Sequence, residues 1–302
     1  MRRVHLVLFV LYFTLSVTPA QFSSIAQSLS VKATAPTKAR IPEITLPKRE
    51  GSLRVVVFGD AGSGNKVQYE LGRVMEEYRQ SFGFDLALLT GDNILGKKSP
   101  LDMKNKFELP YKSLLDSGVK FYASLGNHDT AIERFYAPFN MDGEEYYRFE
   151  RDGVSFYALN SNYLDKKQLD WLVDQLEKDK NAWRIAFFHH PPFSSGGTHG
   201  SNKEVRAILH PLFVKYGIDV AFSGHDHVYE RVKPQDGITY FIAGAGGGIR
   251  RGDLRKGSRI TAAGFDSNLS FILLEFVGDE MHFQAISLAR TRVDSGVIKR
   301  RD

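Results

Sequence analysis

Five times between residues 53 and 227 the chain repeats one pattern: a short apolar stretch rich in β-branched and aromatic residues, a glycine or small residue, then side chains able to carry charge or bind metal. Residues 53–58 lead into Gly59-Asp60, 84–89 into Gly91-Asp92, and 119–125 into Gly126-Asn127-His128-Asp129. Residues 183–188 lead into His189-His190, and 218–222 into Gly224-His225-Asp226-His227. A largely apolar run of this length, closed by a turn, reads as a buried strand. Between the runs lie amphipathic segments at about 66–80, 105–117, 166–180 and 203–216, which read as helices. The alternation predicts an α/β fold, with the polar residues at strand C-terminal ends, where open α/β sheets build their sites. Two hairpins are also predicted, 146–149 with 154–158 across Asp152-Gly153, and 269–277 with 281–287 across Gly278-Asp279. Ribbons added to such a core predict two sheets packed face to face with helices outside.

The strand ends collect Asp60, Asp92, Asn127, His189, His225 and His227. Cysteine is absent from all 302 residues, which excludes disulfides, thiolate ligands and a cysteine nucleophile. A metal in this chain is therefore held by nitrogen and oxygen. Two cations a few ångströms apart need a shared carboxylate together with hard oxygen and imidazole donors, and the strand ends offer that set. One Gly-Asp pair is an ordinary turn or helix cap. Five such blocks in order, each after a buried-strand pattern, point to a dinuclear metal site.

The blocks Gly59-Asp60-Ala61-Gly62, Gly91-Asp92-Asn93, Gly126-Asn127-His128-Asp129, Phe188-His189 and Gly224-His225-Asp226-His227 resemble the five-block signature of the calcineurin-like metallophosphoesterases. The Asp-x-Gly first block and the run from His225 to Arg231 resemble, within that superfamily, the purple acid phosphatases of the small, tartrate-resistant type. The similarity runs from Leu53 through Gly244-Ala245-Gly246-Gly247 and the hairpin after it. It implies a four-layer α/β/β/α sandwich of two mixed β-sheets flanked by helices. It implies a first metal on Asp60, Asp92 and His227 and a second on Asp92, Asn127, His189 and His225, with Asp92 bridging. The pair would be drawn from Fe, Zn, Mn or Mg. The implied activity is hydrolysis of phosphate monoesters by a hydroxide activated between the metals, with in-line attack and no covalent phosphoenzyme.

Phosphodiester or nucleotide cleavage is the alternative among enzymes, and a non-catalytic phosphate-binding envelope protein the alternative outside them. His128 would touch the phosphate or protonate the leaving group, and His199 would be a second phosphate-binding or proton-donating histidine, both joining Asn127 around the substrate. The sequence departs from the purple acid phosphatases at Leu95, where they carry the tyrosine ligand that gives the colour and favours ferric iron. Leucine cannot ligate, so three protein ligands and water remain for the first metal. Gly62 stands where the wider superfamily has a first-block histidine.

Met1-Arg2-Arg3, the apolar run 6–17 and Thr18-Pro19-Ala20 have the layout of a secretory signal peptide (1–20) cleaved after Ala20. Residues 21–51, rich in Ser, Thr, Ala, Pro and Lys without periodicity, read as a disordered linker, and 52–302 as a single metallophosphoesterase domain. The expectation is an exported protein, periplasmic or extracellular, without a stable membrane span after cleavage. The net charge of +5 is carried by residues 1–51, so the domain is neutral, and its basic tail 290–302 reads as solvated. A neutral domain predicts a small phosphorylated substrate and no nucleic-acid partner. The sequence carries no signal for the oligomeric state. His190 reads equally as a packing residue or a substrate contact. His210, His282, the Tyr229/Arg231 pair and the Trp171, Leu172 and Leu176 stripe read as structural.

Overall fold

In the computed structural model, which describes residues 43–301, the apolar runs become strands. Those strands are β1 (Leu53–Phe58), β2 (Leu86–Leu89), β3 (Lys120–Ala123), β4 (Tyr147–Arg151), β5 (Val154–Ala158), β6 (Trp183–Phe187), β7 (Val220–Ser223), β8 (Tyr229–Val232), β9 (Thr239–Ala243), β10 (Thr261–Phe265), β11 (Ser270–Val277), β12 (Glu280–Ser287) and β13 (Arg292–Lys299). They form two mixed sheets, ordered β13-β12-β11-β1-β2-β3 and β10-β8-β9-β7-β6-β5-β4. β1, β2 and β3 run parallel, as do β5, β6, β7 and β9. Both expected hairpins form, β4 with β5 and β11 with β12.

The helices begin and end where local chemistry dictates. Asn65 caps α1 (Lys66–Phe82) by accepting the Gln68 amide, and Gly83 stops it in the left-handed conformation. Asp165 caps α4 (Lys166–Lys178), and Asn202 with Gly217 brackets α5 (Lys203–Tyr216). The expected helix over 105–117 is not continuous. The chain there is α2 (Pro100–Met103), a π-helical turn over Lys104–Glu108, and α3 (Lys112–Asp116). Pro110 has no N–H for the Lys106 carbonyl, which instead accepts the Gln68 side chain at 2.6 Å.

Three apolar layers alternate with these elements. Val55, Val57 and Leu88 pack with Phe156, Phe187, Phe222 and Phe241 between the two sheets. Val56 and Phe58, on the opposite face of β1, pack with Leu71, Met75 and Tyr78 of α1. Ala186 and Ala221 face Leu172, Leu209 and Phe213 of α4 and α5. The result is the four-layer α/β/β/α sandwich, in which the C-terminal ends of β1, β2, β6 and β7 are brought together by the face-to-face packing.

Both ends of the chain correct the sequence reading. The signal peptide and linker residues 21–42 lie outside the described residues. Residues 43–51, read as linker, are fastened to β11 and β12: Glu275 accepts the amides of Lys48 and Arg49 at 2.7 and 2.6 Å, and Gln284 accepts that of Thr45 at 2.9 Å. These are buried polar side chains whose hydrogen-bond needs are met by that segment. The basic tail is β13 for most of its length. It is an edge strand held by backbone pairing to β12 and by Asp294, which accepts from Tyr229 and Arg231, each at 2.7 Å. β8, β9 and β10 also escape the sequence reading: each is only four or five residues long, and β8 carries Glu230 and Arg231 within its run.

Candidate active site

The strand-end residues converge because each turns sharply out of its strand. Asp60, Asp92 and His225 have φ of 53°, 53° and 71°, a left-handed backbone that costs a non-glycine residue roughly 1–2 kcal/mol. The turns are tied to each other by the amides of Asp60 to the Gly91 carbonyl (2.9 Å), Gly224 to that of His189 (3.0 Å) and Gly246 to that of Gly59 (3.0 Å). Glycine is needed at two contact points. A Cβ on Gly126 would stand 2.2 Å from Asp92 Oδ1, and one on Gly224 2.4 Å from Asp60 Oδ2.

His189 sits at the centre, fully buried. Its Nδ1 lies 3.0 Å from the Thr90 carbonyl, which selects the Nδ1–H tautomer and leaves the Nε2 lone pair free. That Nε2 is 3.0 Å from Asn127 Oδ1, 3.1 Å from His225 Nδ1 and 3.5 Å from Asp92 Oδ2. Asp92 Oδ1 accepts the His128 amide at 2.9 Å, fixing the carboxylate between the two halves of the site. Asp60 Oδ2 accepts the His225 amide at 2.9 Å, and its Oδ1 stands 3.4 Å from His227 Nε2. Candidate ligand atoms of Asp60, Asp92 and His189 lie within 4.8 Å of one another, as do those of His189, His190 and His225. All six residues singled out from the sequence as ligand types are thus brought into one cluster.

The cluster fits cations on two grounds. Asp60 Oδ1 is buried and, among the described residues, is left with only a long, weak contact to His227 Nε2 at 3.4 Å. Nitrogen and oxygen atoms also face each other at the centre with too few protons to join them. The electrostatics record the same strain. Burial pushes the Asp60 carboxyl up to about 6, against the His227 hydrogen bond and charge. Burial holds the His189 imidazole well below its ordinary value, and burial with the neighbouring His189, His190 and His199 takes His225 down to about 2. Burial also opposes the proton on His227, but hydrogen bonding to Asp60 and its charge prevail and raise that value. At His189 and His225 the neutral imidazole is the protonation state that metal ligation requires.

Around the cluster, three buried acids act as clamps. Asp129 accepts the amides of Asn93 and Gly126, each at 2.8 Å, and the Asn93 side chain, binding the second block to the third. Asp226 accepts the Ser194 hydroxyl and the Gly200 amide, at 2.5 and 3.1 Å. Glu230 accepts the Ser195 amide at 2.8 Å and the Thr261 hydroxyl at 2.6 Å. Asp226 and Glu230 therefore anchor the loop that carries His199, whose ring stacks on His225 with centroids 4.0 Å apart. His128 and His199 are exposed at the rim. Leu95 is half-buried, and its amide donates to the Gly62 carbonyl at 2.9 Å.

His190 is resolved toward the site: its Nδ1 meets the Ser161 hydroxyl at 3.0 Å, and its ring lies 4.6 Å from that of His225. It borders a cavity of about 410 Å³ lined by Asn127, Tyr163, Leu164, Val205 and Ile208 among others. His210 bonds Tyr240 and Asp236, and His282 pairs with Glu280, as structural residues do. The sequence reading missed the clamps Asp129, Asp226 and Glu230. Their signal was present only as acids embedded in or just after the blocks.

Comparison with known proteins bears on the whole arrangement. Residues 53–229 match the family model of the calcineurin-like phosphoesterases. The chain is 27% identical over 249 residues to purple acid phosphatase 17 of Arabidopsis thaliana, covering 68% of this chain and 72% of that protein. It is 28% identical over 249 residues to tartrate-resistant acid phosphatase type 5 of Oryctolagus cuniculus, covering 67% and 76%. Among solved structures, the purple acid phosphatase PPD1 of yellow lupin (Lupinus luteus) superposes with a TM-score of 0.70 at 18% identity, over 84% of this chain and 55% of that one. GAP50, the anchor in the inner membrane complex of Plasmodium, superposes with a TM-score of 0.67 at 19% identity, over 83% and 90%. One fold thus serves an anchor and a phosphatase, so activity is argued from the site.

Proposed function

The chain belongs to the calcineurin-like phosphoesterase family, and on that premise we propose that it hydrolyses phosphate monoesters using two metal ions held by the strand-end cluster. Asp60, Asp92 and His227 would hold one ion and Asp92, Asn127, His189 and His225 the other. When bound, the pair supplies Lewis acidity to the phosphoryl oxygens and an activated water to attack phosphorus. The observation that carries this reading is the convergence of Asn127 Oδ1 and His225 Nδ1 on His189 Nε2, next to the unsatisfied Asp60 Oδ1.

The other residues have tasks that follow from where they stand. His128, whose amide positions Asp92, presents its ring at the rim and would protonate the departing oxygen, a contribution worth roughly 100- to 10,000-fold. His199, stacked on His225, would contact the phosphate together with Asn127. The cavity beside Asn127 and His190, whose largely polar wall has an apolar side of Tyr163, Leu164, Val205 and Ile208, has room for an organic leaving group. With Leu95 in place of a tyrosinate, two carboxylates are the only protein anions among the ligands, which favours divalent ions such as Zn, Mn, Mg or ferrous iron over a ferric centre. The N-terminal layout supports export, and among the described residues no helix is long and apolar enough to cross a membrane. The partner on this reading is a small phosphorylated molecule, in keeping with the zero net charge of the domain.

The test is metal analysis of the purified protein, with p-nitrophenyl phosphate and bis-p-nitrophenyl phosphate turnover measured before and after chelation. About two metals per chain, chelator-sensitive turnover and preference for the monoester are expected. Preference for the diester would overturn the monoester assignment. A metal-free, inactive protein that no added divalent ion restores would overturn the hydrolase itself.

A further inference from the structure

We propose that Arg250 is a substrate-binding residue that grips the non-bridging oxygens of a phosphate dianion beside His227 and so biases the site toward monoesters. The inference rests on the function proposed above and names a determinant of its specificity. Arg250 follows the glycine-rich turn after β9, which runs directly against the cluster. A Cβ on Gly244 would stand 2.8 Å from Asp60 Oδ2, and one on Gly248 3.1 Å from His227 Nδ1. The Arg250 amide donates to the His227 carbonyl at 3.2 Å.

The segment that follows is zipped to the loop carrying His199. Gly197 donates its amide to the Asp253 carbonyl at 2.7 Å, Arg255 donates to that of Ser195 at 3.0 Å, and the Thr198 hydroxyl donates to Asp253 Oδ1 at 2.5 Å. Arg250 and His199 therefore stand on two joined loops over the same side of the site.

The guanidinium has no acidic partner and no hydrogen-bond acceptor among the described residues, and its Nη1 is buried. Leaving a charged donor buried and unbonded is costly, and the planar fork of an arginine matches phosphate oxygens. Charge decides which ester suits it. Asp60 and Asp92 offset only half of a divalent pair, and Arg250 adds a positive charge without an anion of its own. A monoester dianion relieves that excess better than a diester monoanion.

The experiment compares wild type, Arg250→Ala and Arg250→Lys for metal content, melting temperature, calorimetric binding of inorganic phosphate, and KM and kcat on both nitrophenyl esters. Arg250→Ala is expected to keep its metals while weakening phosphate binding and raising the monoester KM about 10-fold or more, the scale of a hydrogen bond to a charged group. The diester KM should change less, and lysine should restore part of the loss. A lower melting temperature with phosphate affinity unchanged would overturn the proposal and make Arg250 a structural neighbour of Asp253, whose Oδ2 is also buried without a partner. Equal losses on both esters would overturn the monoester bias. A wild type without metal or turnover would sink the proposed function instead, while phosphate calorimetry would still decide on Arg250.

Discussion

Replacing Asp60 by asparagine should stabilise the metal-free protein while abolishing its capacity to work, and the size of the effect follows from the burial of one carboxylate. In the absence of metal, Asp60 holds its proton up to about pH 6, compared with 3.8 for an ordinary aspartate, chiefly because it is buried. Between those values the folded protein binds a proton that the unfolded chain has released. Stability from this group is therefore fully present below about pH 4 and is lost as pH rises through 6. The loss is about two pKa units, or about 3 kcal/mol, as a ceiling. His227 acts in the same direction: its proton affinity is raised by Asp60, so its contribution is present below 6.5 and disappears at higher pH.

Asparagine keeps the shape of the site. Its carbonyl can accept the His225 amide as Asp60 Oδ2 does, and its NH₂ takes the place of the unsatisfied Oδ1 facing His227. In urea titrations with chelator at pH 8, the Asp60→Asn protein should be about 1–3 kcal/mol more stable than wild type. At pH 4.5 the advantage should shrink to about a third. With metal loaded, the sign should reverse, because a carboxylate ligand is gone. Equal stability at pH 8 in chelator, or an advantage independent of pH, would show that Asp60 is not the strained buried acid inferred from the geometry.

Other perturbations separate the parts of the site. His128→Ala should slow monoester turnover by 100- to 10,000-fold without changing metal content, and loss of metal in that variant would mean the residue acts through Asp92. Asp129→Ala touches no ligand candidate, yet it frees the amides of Asn93 and Gly126 and should cost roughly 2–3 kcal/mol in unfolding experiments while lowering metal occupancy. Leu95→Tyr, loaded with ferric iron, should gain a visible charge-transfer band; a colourless loaded protein would show that the half-buried position 95 does not face the first metal.

The fold and the strand-end cluster of His, Asp and Asn side chains were legible in the sequence for the same reason: both are written in repetition. Val55, Leu88, Phe187 and Phe222 are buried between sheets, so their runs are apolar apart from one charged residue near the start of each (Arg54, Asp85, Arg184 and Asp219), and each is followed closely by its polar turn. α5 was readable to the residue because Asn202 and Gly217 mark its two ends. The failures have local causes. Arg292–Lys299 has few apolar residues because an edge strand needs only one paired side, so its charges looked like a solvated tail. Residues 43–51 have no periodicity because they are held through backbone amides to Glu275 and Gln284, partners more than 200 positions away. Arg250 was invisible because nothing in a run of basic residues says which one turns inward.

The left-handed turns explain why local propensity could not separate site from loop. Among the described residues, nine non-glycine positions have positive φ, and three of them are Asp60, Asp92 and His225. Glycine would adopt these angles without penalty, and it does so at Gly91 beside Asp92. At the three ligand-type positions the strain of roughly 1–2 kcal/mol each is retained, because glycine carries no carboxylate or imidazole. A single Gly-Asp after a strand therefore looks the same whether it ends a strand or builds a site. What distinguishes this chain is that Asp60 and Asp92 lie at the ends of adjacent strands, paired in parallel from Val55 with Leu86 to Phe58 with Leu89, so the same strained turn delivers two carboxylates side by side.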